Sequence, residues 1–283
     1  MDFIPGWKCH GPEGAYPFGQ PDETEKGEVR ELITEVSDSI DRSNVEETRG
    51  DNQPTIKIRF TFKRTEELRF LSHLDQQRLF QRALRRADLP LAYSQGFNPH
   101  PILAFANAMS VGMTSDCEYV DIGIDIPEDH NPDFAAEMAH RLDAAMPEGI
   151  QITGAEILPA GAKSLTRMVE AADYEVCCPD LNRPDFNDFL SEIDNFNDRD
   201  EIMIEKRNKR NKLIQKNIRP AFDKLSAERK DSGICFELTV NAVDSSLIRP
   251  EAIITAFLDN IGYYNKGCEM IIHRKQLKLE GQK

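Results

Sequence analysis

The sequence has no apolar run that approaches the ~20 residues needed by a membrane-spanning helix, and no two cysteines stand at the C-x-x-C spacing. The first absence argues against an integral membrane protein. The second argues against zinc ribbons and iron–sulfur clusters, whose ligands are bunched at such spacings. The chain also begins without a basic segment followed by an apolar core, so we predict no secretory signal. We therefore expect a cytoplasmic protein with no membrane association and no cofactor of its own.

Cysteine usage fits that compartment. Cys177 and Cys178 are adjacent, and the other four cysteines are scattered along the chain. Most of the six lie in apolar, strand-like contexts, where a free cysteine behaves as a small buried hydrophobe. We expect reduced, buried thiols.

Charge is distributed unevenly along the chain. Of the net charge of −14, residues 1–54 account for −8, with 13 acidic and 5 basic side chains. Residues 205–230 carry 10 basic and 3 acidic side chains, a local excess of +7. A basic strip on a mildly acidic body is compatible with a phosphate-rich partner.

Residues 1–54 have the composition of a tail. They are rich in Gly, Pro, Asp and Glu and poor in strand formers, so they can bury too little apolar surface to offset the entropy of ordering. We expect this segment to be mostly disordered and dispensable for folding. Within it, apolar residues from Val29 to Ile40 fall at helical spacing, which indicates either a short helix on the body or a segment that folds onto a partner.

From Thr55 onward the pattern predicts an α+β fold of two tandem ferredoxin-like (βαββαβ) units packed together, over residues 55–162 and 168–283. The first unit has predicted strands at 56–62, 102–107, 118–126 and 150–158, and predicted helices at 72–87 and 132–145. In the second unit, strands are predicted at 172–178, 201–205, 235–243 and 269–279, and helices at 185–196 and 250–258.

The first predicted helix begins with a polar cap and has an arginine-rich side. Ser72 is the predicted N-cap, and Asp75 stands three residues on, as in a capping box. A helical wheel places the polar side chains on one side, opposite an apolar face. That side is either a solvated surface or a clamp for phosphate or carboxylate. It comprises Asp75, Arg78, Arg82, Arg85 and Arg86.

Two histidines lie in this region, one at the start of the helix and one in the loop that follows it. His73 lies in the first helical turn, where the positive end of the helix dipole favours the neutral imidazole. His100 lies between two prolines in a loop whose Ser94, Phe97 and Asn98 complete the polar motif. Either histidine could be structural, or the two could line a common site. Phe97 could stack on a base or anchor the loop, and we favour the anchor.

Glu118 and Asp121 lie on the second central strand. Because they are three positions apart, they point to opposite faces, and only one can join a site with the histidines. We name Glu118 with His73 and His100 as candidate catalytic residues. No close pair of histidines is present, so we predict no metal site.

The basic strip predicts either a solvated loop or RNA contact through phosphates. Its charges have no interleaved aromatic residues. Its members are Lys206, Arg207, Lys209, Arg210, Lys212, Lys216 and Arg219.

The motif block is similar to that of a known family. Arg69-Phe-Leu-Ser-His-Leu-Asp75, Arg82-Ala-Leu-Arg-Arg86 and Tyr93-Ser-Gln-Gly-Phe-Asn-Pro-His-Pro101 resemble the radical SAM-linked proteins, the DUF2344 group of bacterial domains. Glu118-Tyr-Val-Asp121 fits the motif that follows, and Ile218-Arg-Pro220 fits more loosely. The resemblance covers about residues 55–280.

The resemblance implies a radical SAM protein as the partner of this chain, and it supplies no assigned catalytic residues. Members of this group occur beside or fused to a B12-type radical SAM protein, in a genomic context linked to RNA and ribosomes. The iron–sulfur cluster and S-adenosylmethionine would belong to that partner. The leading hypothesis is an accessory protein that binds RNA or a ribosome-linked substrate together with a radical SAM enzyme.

Two other hypotheses remain open. The chain could be a metal-independent RNA-processing enzyme that uses His73 and His100, because tandem ferredoxin-like folds also build RNA-cleaving enzymes. It could also be a structural adaptor without nucleic acid.

Overall fold

The computed structural model describes residues 55–125, 133–181, 185–207, 211, 213–231, 233–243, 246–263 and 268–281. The predicted tail at 1–54 lies outside these residues. Residues 53–283 form one compact unit. The described part is a mixed α+β structure with a mostly antiparallel sheet and five α-helices.

The first half runs from β1 to β4. Its elements are β1 (Thr55–Arg64), α1 (His73–Arg86), β2 (Leu103–Phe105), β3 (Met113–Asp125), α2 (Phe134–Ala145) and β4 (Ile150–Ile157). A short 3₁₀ turn covers Glu66–Leu68. Each helix and strand predicted here from periodicity is present, although β2 is shorter and β3 longer than expected.

The second half begins with α3 (Leu165–Met168), which leads directly into a strand. Its remaining elements are β5 (Val169–Cys178), α4 (Phe186–Asn197), β6 (Met203–Arg207), β7 (Leu213–Asn217), β8 (Phe222–Lys230), β9 (Gly233–Asn241), α5 (Pro250–Asn260) and β10 (Ile271–Leu279). A 3₁₀ turn covers Arg219–Ala221. The sequence patterns had not predicted β7 and β8.

One continuous eight-stranded sheet joins the two halves. Its strand order is β4-β1-β3-β10-β5-β9-β8, and β2 pairs with β3. β3 pairs with two strands along the same edge: β10 at residues 113–115 and β2 at residues 120–122. The β3–β10 pairing is parallel and the other described pairings in this sheet are antiparallel. β6 and β7 form a separate two-stranded sheet.

Two apolar cores lie between the sheet and its helices. In the first, Phe60 and Phe62 of β1 pack with Phe80 of α1, and the Phe62 and Phe80 rings meet edge to face at 5.0 Å. Alternation on β1 turns these rings toward the helices. In the second, Phe189 of α4 and Phe257 of α5 meet edge to face at 5.4 Å. Each half of the protein therefore has its own apolar core. Burying each such ring stabilises the folded state by about 1.5–3 kcal/mol.

The structure corrects the prediction for two cysteines. Cys177 of β5 and Cys235 of β9 are directly opposite each other in the antiparallel register and form a disulfide. The expectation of reduced thiols is therefore wrong for this pair. Cys178 remains a buried thiol, and burial raises its pKa to about 12, with Cys268 as a further cause.

Candidate functional site

The start of α1 is capped as predicted. The Ser72 hydroxyl accepts a hydrogen bond from the Asp75 backbone N–H at 3.2 Å, and it donates one to the Asp75 carboxylate at 2.6 Å. This hydroxyl is the main reason that the pKa of Asp75 lies below its usual value, and Arg78 lowers it further. The cap satisfies one of the N–H groups that every helix start leaves free.

The predicted arginine side of α1 divides into two groups. Arg78 forms an exposed ion pair with Asp75 at 3.2 Å. Arg86 donates to the Ala145 carbonyl at the end of α2, at 2.5 Å. Arg82 and Arg85 are exposed, and neither has an ion-pair partner within the described ranges. These two arginines are therefore the ones available to an anion.

The loop after α1 fixes His100 but exposes Phe97. An isolated β-bridge between Tyr93 and Pro101 closes the loop. The Ser94 hydroxyl accepts from the His100 backbone N–H at 3.2 Å, and it also hydrogen-bonds the ring Nδ1 of His100 at 3.0 Å. Asn98 lies in the exposed part of this loop, and its backbone carbonyl oxygen is 3.3 Å from the same Nδ1. Phe97 is fully exposed, so the expected anchoring role is wrong.

His73 lies at a pocket of about 410 Å³ between α1, the segment 104–108 and parts of the second half. Its ring packs edge to face against Phe105 at 5.6 Å, and its Nε2 lies 3.3 Å from the Gln77 amide nitrogen. His100 is not among the described residues that line this pocket. A common site for the two histidines therefore remains a prediction.

Glu118 lies in a buried polar cluster at the seam between the halves. It is 1% exposed and forms an ion pair with Arg274 of β10 at 2.6 Å. Arg274 also donates to the Tyr174 hydroxyl at 3.0 Å. Burial raises the pKa of Tyr174 despite the neighbouring guanidinium. Glu118 of β3 thus neutralises an arginine of β10, and it is not among the described residues that line the pocket beside His73.

Arg64 adds a second buried guanidinium to this seam. It donates to the carbonyl oxygens of Met113, Leu71 and Ser110, and to the side-chain oxygen of Gln76 at 3.1 Å. Burial lowers its pKa to about 10, with Arg274 acting in the same direction and Glu118 opposing it. The arginine therefore stays charged at neutral pH. It joins β1 to the backbone at Leu71 and to the backbone at Ser110 and Met113.

Asp121 has a separate partner, as expected for a residue on the other face of β3. It forms a two-point ion pair with Arg59 of β1, at 2.8 and 3.0 Å. Both side chains are buried. A two-point guanidinium–carboxylate pair of this kind fixes geometry as well as charge.

Sequence reasoning missed a polar cluster on the β3–β10 seam. The ring of His273 lies 2.9 Å from the Thr114 hydroxyl through Nδ1 and 3.1 Å from the Asp116 carboxylate through Nε2. Lys63 lies 3.9 Å from the same carboxylate. No sequence signal connects positions 114, 116 and 273, because only the parallel register brings them together.

The basic strip forms part of the two-stranded ribbon β6–β7. Lys206 and Arg207 lie in β6, opposite Ile214 and Leu213 of β7. Lys209, Arg210 and Lys212 lie outside the described residues. Lys216 is in β7 and partly exposed. Met203, Leu213 and Ile214 are exposed apolar side chains on this ribbon.

Arg219 has a different environment from the rest of the strip. Its guanidinium donates to the carbonyls of Arg199, Phe222 and Asp223 at 2.8–3.2 Å and lies 5.1 Å from the centre of the Phe222 ring. The described contacts therefore tie Arg219 to the base of the ribbon.

We predict that Arg219→Ala lowers the free energy of unfolding by about 1–3 kcal/mol, because the three carbonyls lose their charged donor. Urea denaturation would measure the loss. Lys216→Ala, a partly exposed neighbour on the same ribbon, should change stability by less than about 0.5 kcal/mol. Equal stabilities of the two variants would contradict the structural role of Arg219.

The fold and these sites define an α+β protein with a buried ionic seam and a basic ribbon. Residues 57–250 match the model of the family DUF2344, described as an uncharacterized protein conserved in bacteria, and the chain belongs to this family. Curated proteins give no match.

One similar solved structure is that of a heavy metal efflux pump, crystal form II, with 9% identity and a TM-score of 0.20. The match covers 89% of this chain and 31% of that chain. Likeness at this level carries no information about function.

Two further findings concern the described residues alone. None of their helices has the length and hydropathy needed to cross a bilayer. They also contain no group of three or more His, Cys, Asp or Glu side chains that could hold a metal ion.

Proposed function

We propose that this chain is an RNA-binding accessory protein that acts with a separate radical SAM enzyme. The observation that carries the RNA part is the β6–β7 ribbon, a two-stranded sheet of its own that includes Lys206, Arg207 and Lys216 of the basic strip. Lysine and arginine at such a site can contact phosphates.

Exposed apolar side chains support the same proposal. Leu213 and Ile214 of β7 are exposed beside the basic positions of β6. Proteins that bind single strands combine positive charge with surfaces against which bases pack.

The base of the ribbon is held firmly. The Asn217 side chain accepts hydrogen bonds from the backbone N–H groups of Ile202 and Arg219, both at 3.0 Å. Ile204 packs against the second core. These contacts fix the place at which the β6–β7 ribbon joins the body of the protein.

We propose further that the two halves are two ferredoxin-like units joined edge to edge. In support, the order β4-β1-β3-β2 in the first half corresponds to β10-β5-β9-β8 in the second, and both read 4-1-3-2 in the numbering of a single unit. The second half differs by the inserted β6–β7 ribbon. Modules of this plan include RNA-binding domains, which is an argument by analogy of fold.

The radical SAM partner is proposed from the resemblance of the motif block. The iron–sulfur cluster and S-adenosylmethionine would be supplied by that partner, and this chain would contribute RNA binding. Affinity purification of the full chain from native lysate, followed by identification of the bound protein and RNA, tests both parts.

We expect a radical SAM protein together with RNA that is released when the salt concentration is raised. Recovery of RNA alone would reduce the proposal to an RNA-binding protein. Recovery of a radical SAM protein without RNA would favour the adaptor hypothesis instead.

A further inference from the structure

The pocket beside His73 is built by both halves of the protein. His73 and Gln77 of α1 line one side, and residues 104–108, from the end of β2 onward, line another. The second half contributes Thr166 and Val169 from the α3–β5 segment and Ser246 and Leu247 from the loop before α5. Its volume of about 410 Å³ falls within the range of roughly 300–1,000 Å³ that is typical of small-molecule sites.

The lining of this pocket combines apolar and neutral polar side chains, and no Lys, Arg, Asp or Glu is among the described residues that line it. A phosphate, carboxylate or ammonium group would therefore lack a counter-charge, and burying an unpaired charge is costly. The polar side chains are neutral hydrogen-bonding groups: His73, Gln77, Asn107, Thr166 and Ser246.

Much of the hydrogen-bonding capacity of these groups is unused. Within the described part of the chain, the side chains of Asn107, Thr166 and Ser246 make no hydrogen bond. Gln77 uses only its amide nitrogen, on His73. If that nitrogen donates to Nε2, the neutral ring has its proton on Nδ1, a buried atom with no hydrogen-bond partner. Thr166 and Ser246 are exposed and can hydrogen-bond water, so among these groups the buried Nδ1 of His73 gains most from a ligand that supplies a hydrogen-bond partner.

We propose that this pocket binds one nucleobase of an RNA strand. The inference rests on the RNA-binding function proposed above and extends it by naming the group that is recognised. A nucleobase is planar and uncharged, with donors and acceptors along its edge, and asparagine and glutamine amides pair well with such edges. Proteins that read single-stranded RNA commonly splay a base out into a pocket.

The surroundings of the pocket suit a nucleotide strand. Arg82 and Arg85 lie beyond Gln77 on α1 and are exposed, and neither has an ion-pair partner among the described residues. A strand with one base beside Gln77 would have its charged phosphates outside the neutral pocket, where exposed arginines could contact them. The neutral pocket and the cationic helix surface thus suit the two chemically different parts of one nucleotide.

Free nucleosides test the pocket without any phosphate contact. The full chain would be titrated with adenosine, guanosine, cytidine and uridine, with ribose as the control, and the side-chain amide NMR signals of Asn107 and Gln77 would be followed. We expect saturable shifts with at least one nucleoside and none with ribose.

Asn107→Leu should weaken the binding of that nucleoside about tenfold, because it removes a hydrogen-bonding amide from the pocket. Asn187→Leu, at an exposed position on α4, should leave its affinity unchanged. Equal binding by the two variants, or no shift with any nucleoside, would overturn the proposal.

A second arm separates this inference from the function on which it rests. Short single-stranded RNAs of equal charge, with and without one abasic position, would be compared for binding to the full chain. If RNA binds in a salt-dependent manner but neither base removal nor Asn107→Leu weakens it, the pocket assignment fails and the proposed function stands. If nucleosides bind the pocket but RNA does not bind at all, the RNA strand is excluded as the ligand.

Discussion

Glu118→Ala is expected to lower the free energy of unfolding by about 3–5 kcal/mol, because it leaves a buried guanidinium without its counter-charge. Arg274 is 2% exposed, and its described charged partner is Glu118, at 2.6 Å. Arg64 adds a second buried positive charge to the same seam. Urea denaturation of wild type and variant at neutral pH measures the difference.

Three variants control this prediction. Glu156 lies 3.9 Å from Arg59 and its side chain is 57% exposed, so Glu156→Ala should cost at most about 1 kcal/mol. The double change Glu118→Leu with Arg274→Met should recover most of the loss, because apolar replacement of a whole buried pair is often near neutral. Glu118→Gln should be intermediate, since it keeps a hydrogen-bond acceptor but removes the charge. A loss below about 1 kcal/mol for Glu118→Ala would show that the pair contributes little to the seam.

This result also bears on the catalytic hypothesis. A general acid or base must come within hydrogen-bond reach of the substrate. Glu118 is buried and paired with Arg274 at the centre of the sheet. A large loss of stability would therefore support a structural role for Glu118 in place of the catalytic one considered from the sequence.

The second large effect concerns RNA binding. Changing Lys206, Arg207, Lys209 and Arg210 to serine should weaken binding to single-stranded RNA by at least about tenfold near 50 mM salt, because four phosphate contacts are lost together. A matched variant removes four positive charges outside residues 205–230, by changing Lys57, Lys63, Lys163 and Lys275 to serine. It has the same net charge, so any difference between the two variants reports on the ribbon and not on overall charge.

Periodicity predicted much of the fold because most elements bury one side. Ser72 capped α1 at the expected residue, and the apolar side chains of β1 are buried at alternate positions, Ile58, Phe60 and Phe62, as its sequence indicated. β7 and β8 were missed because few of their side chains are buried: β7 is mostly exposed, and β8 buries only Phe222 and Leu225. Edge strands often carry many charged side chains, because these prevent the edge from pairing with another chain. Their sequences therefore look like those of loops.

The candidate sites were harder to predict, because they depend on register. The motif at 72–78 pointed correctly to a polar helix start. Nothing local indicated that Arg64 and Arg274 would be buried, since arginine is almost always exposed unless it is paired. The disulfide between Cys177 and Cys235 depends in the same way on which residues stand opposite each other in β5 and β9. Pairings between residues far apart in sequence cannot be read from spacing.

The most direct test of the central claim is the salt dependence of RNA binding. Fluorescence anisotropy with a labelled single-stranded RNA would be measured from about 50 to 200 mM salt for wild type and both four-residue variants. If the ribbon makes the phosphate contacts, the slope of log affinity against log salt for the ribbon variant should be shallower than that of wild type by about 2.8, at about 0.7 per lost contact. The matched variant should keep the wild-type slope. Undetectable binding by wild type at 50 mM salt, or equal slopes for the two variants, would contradict the account.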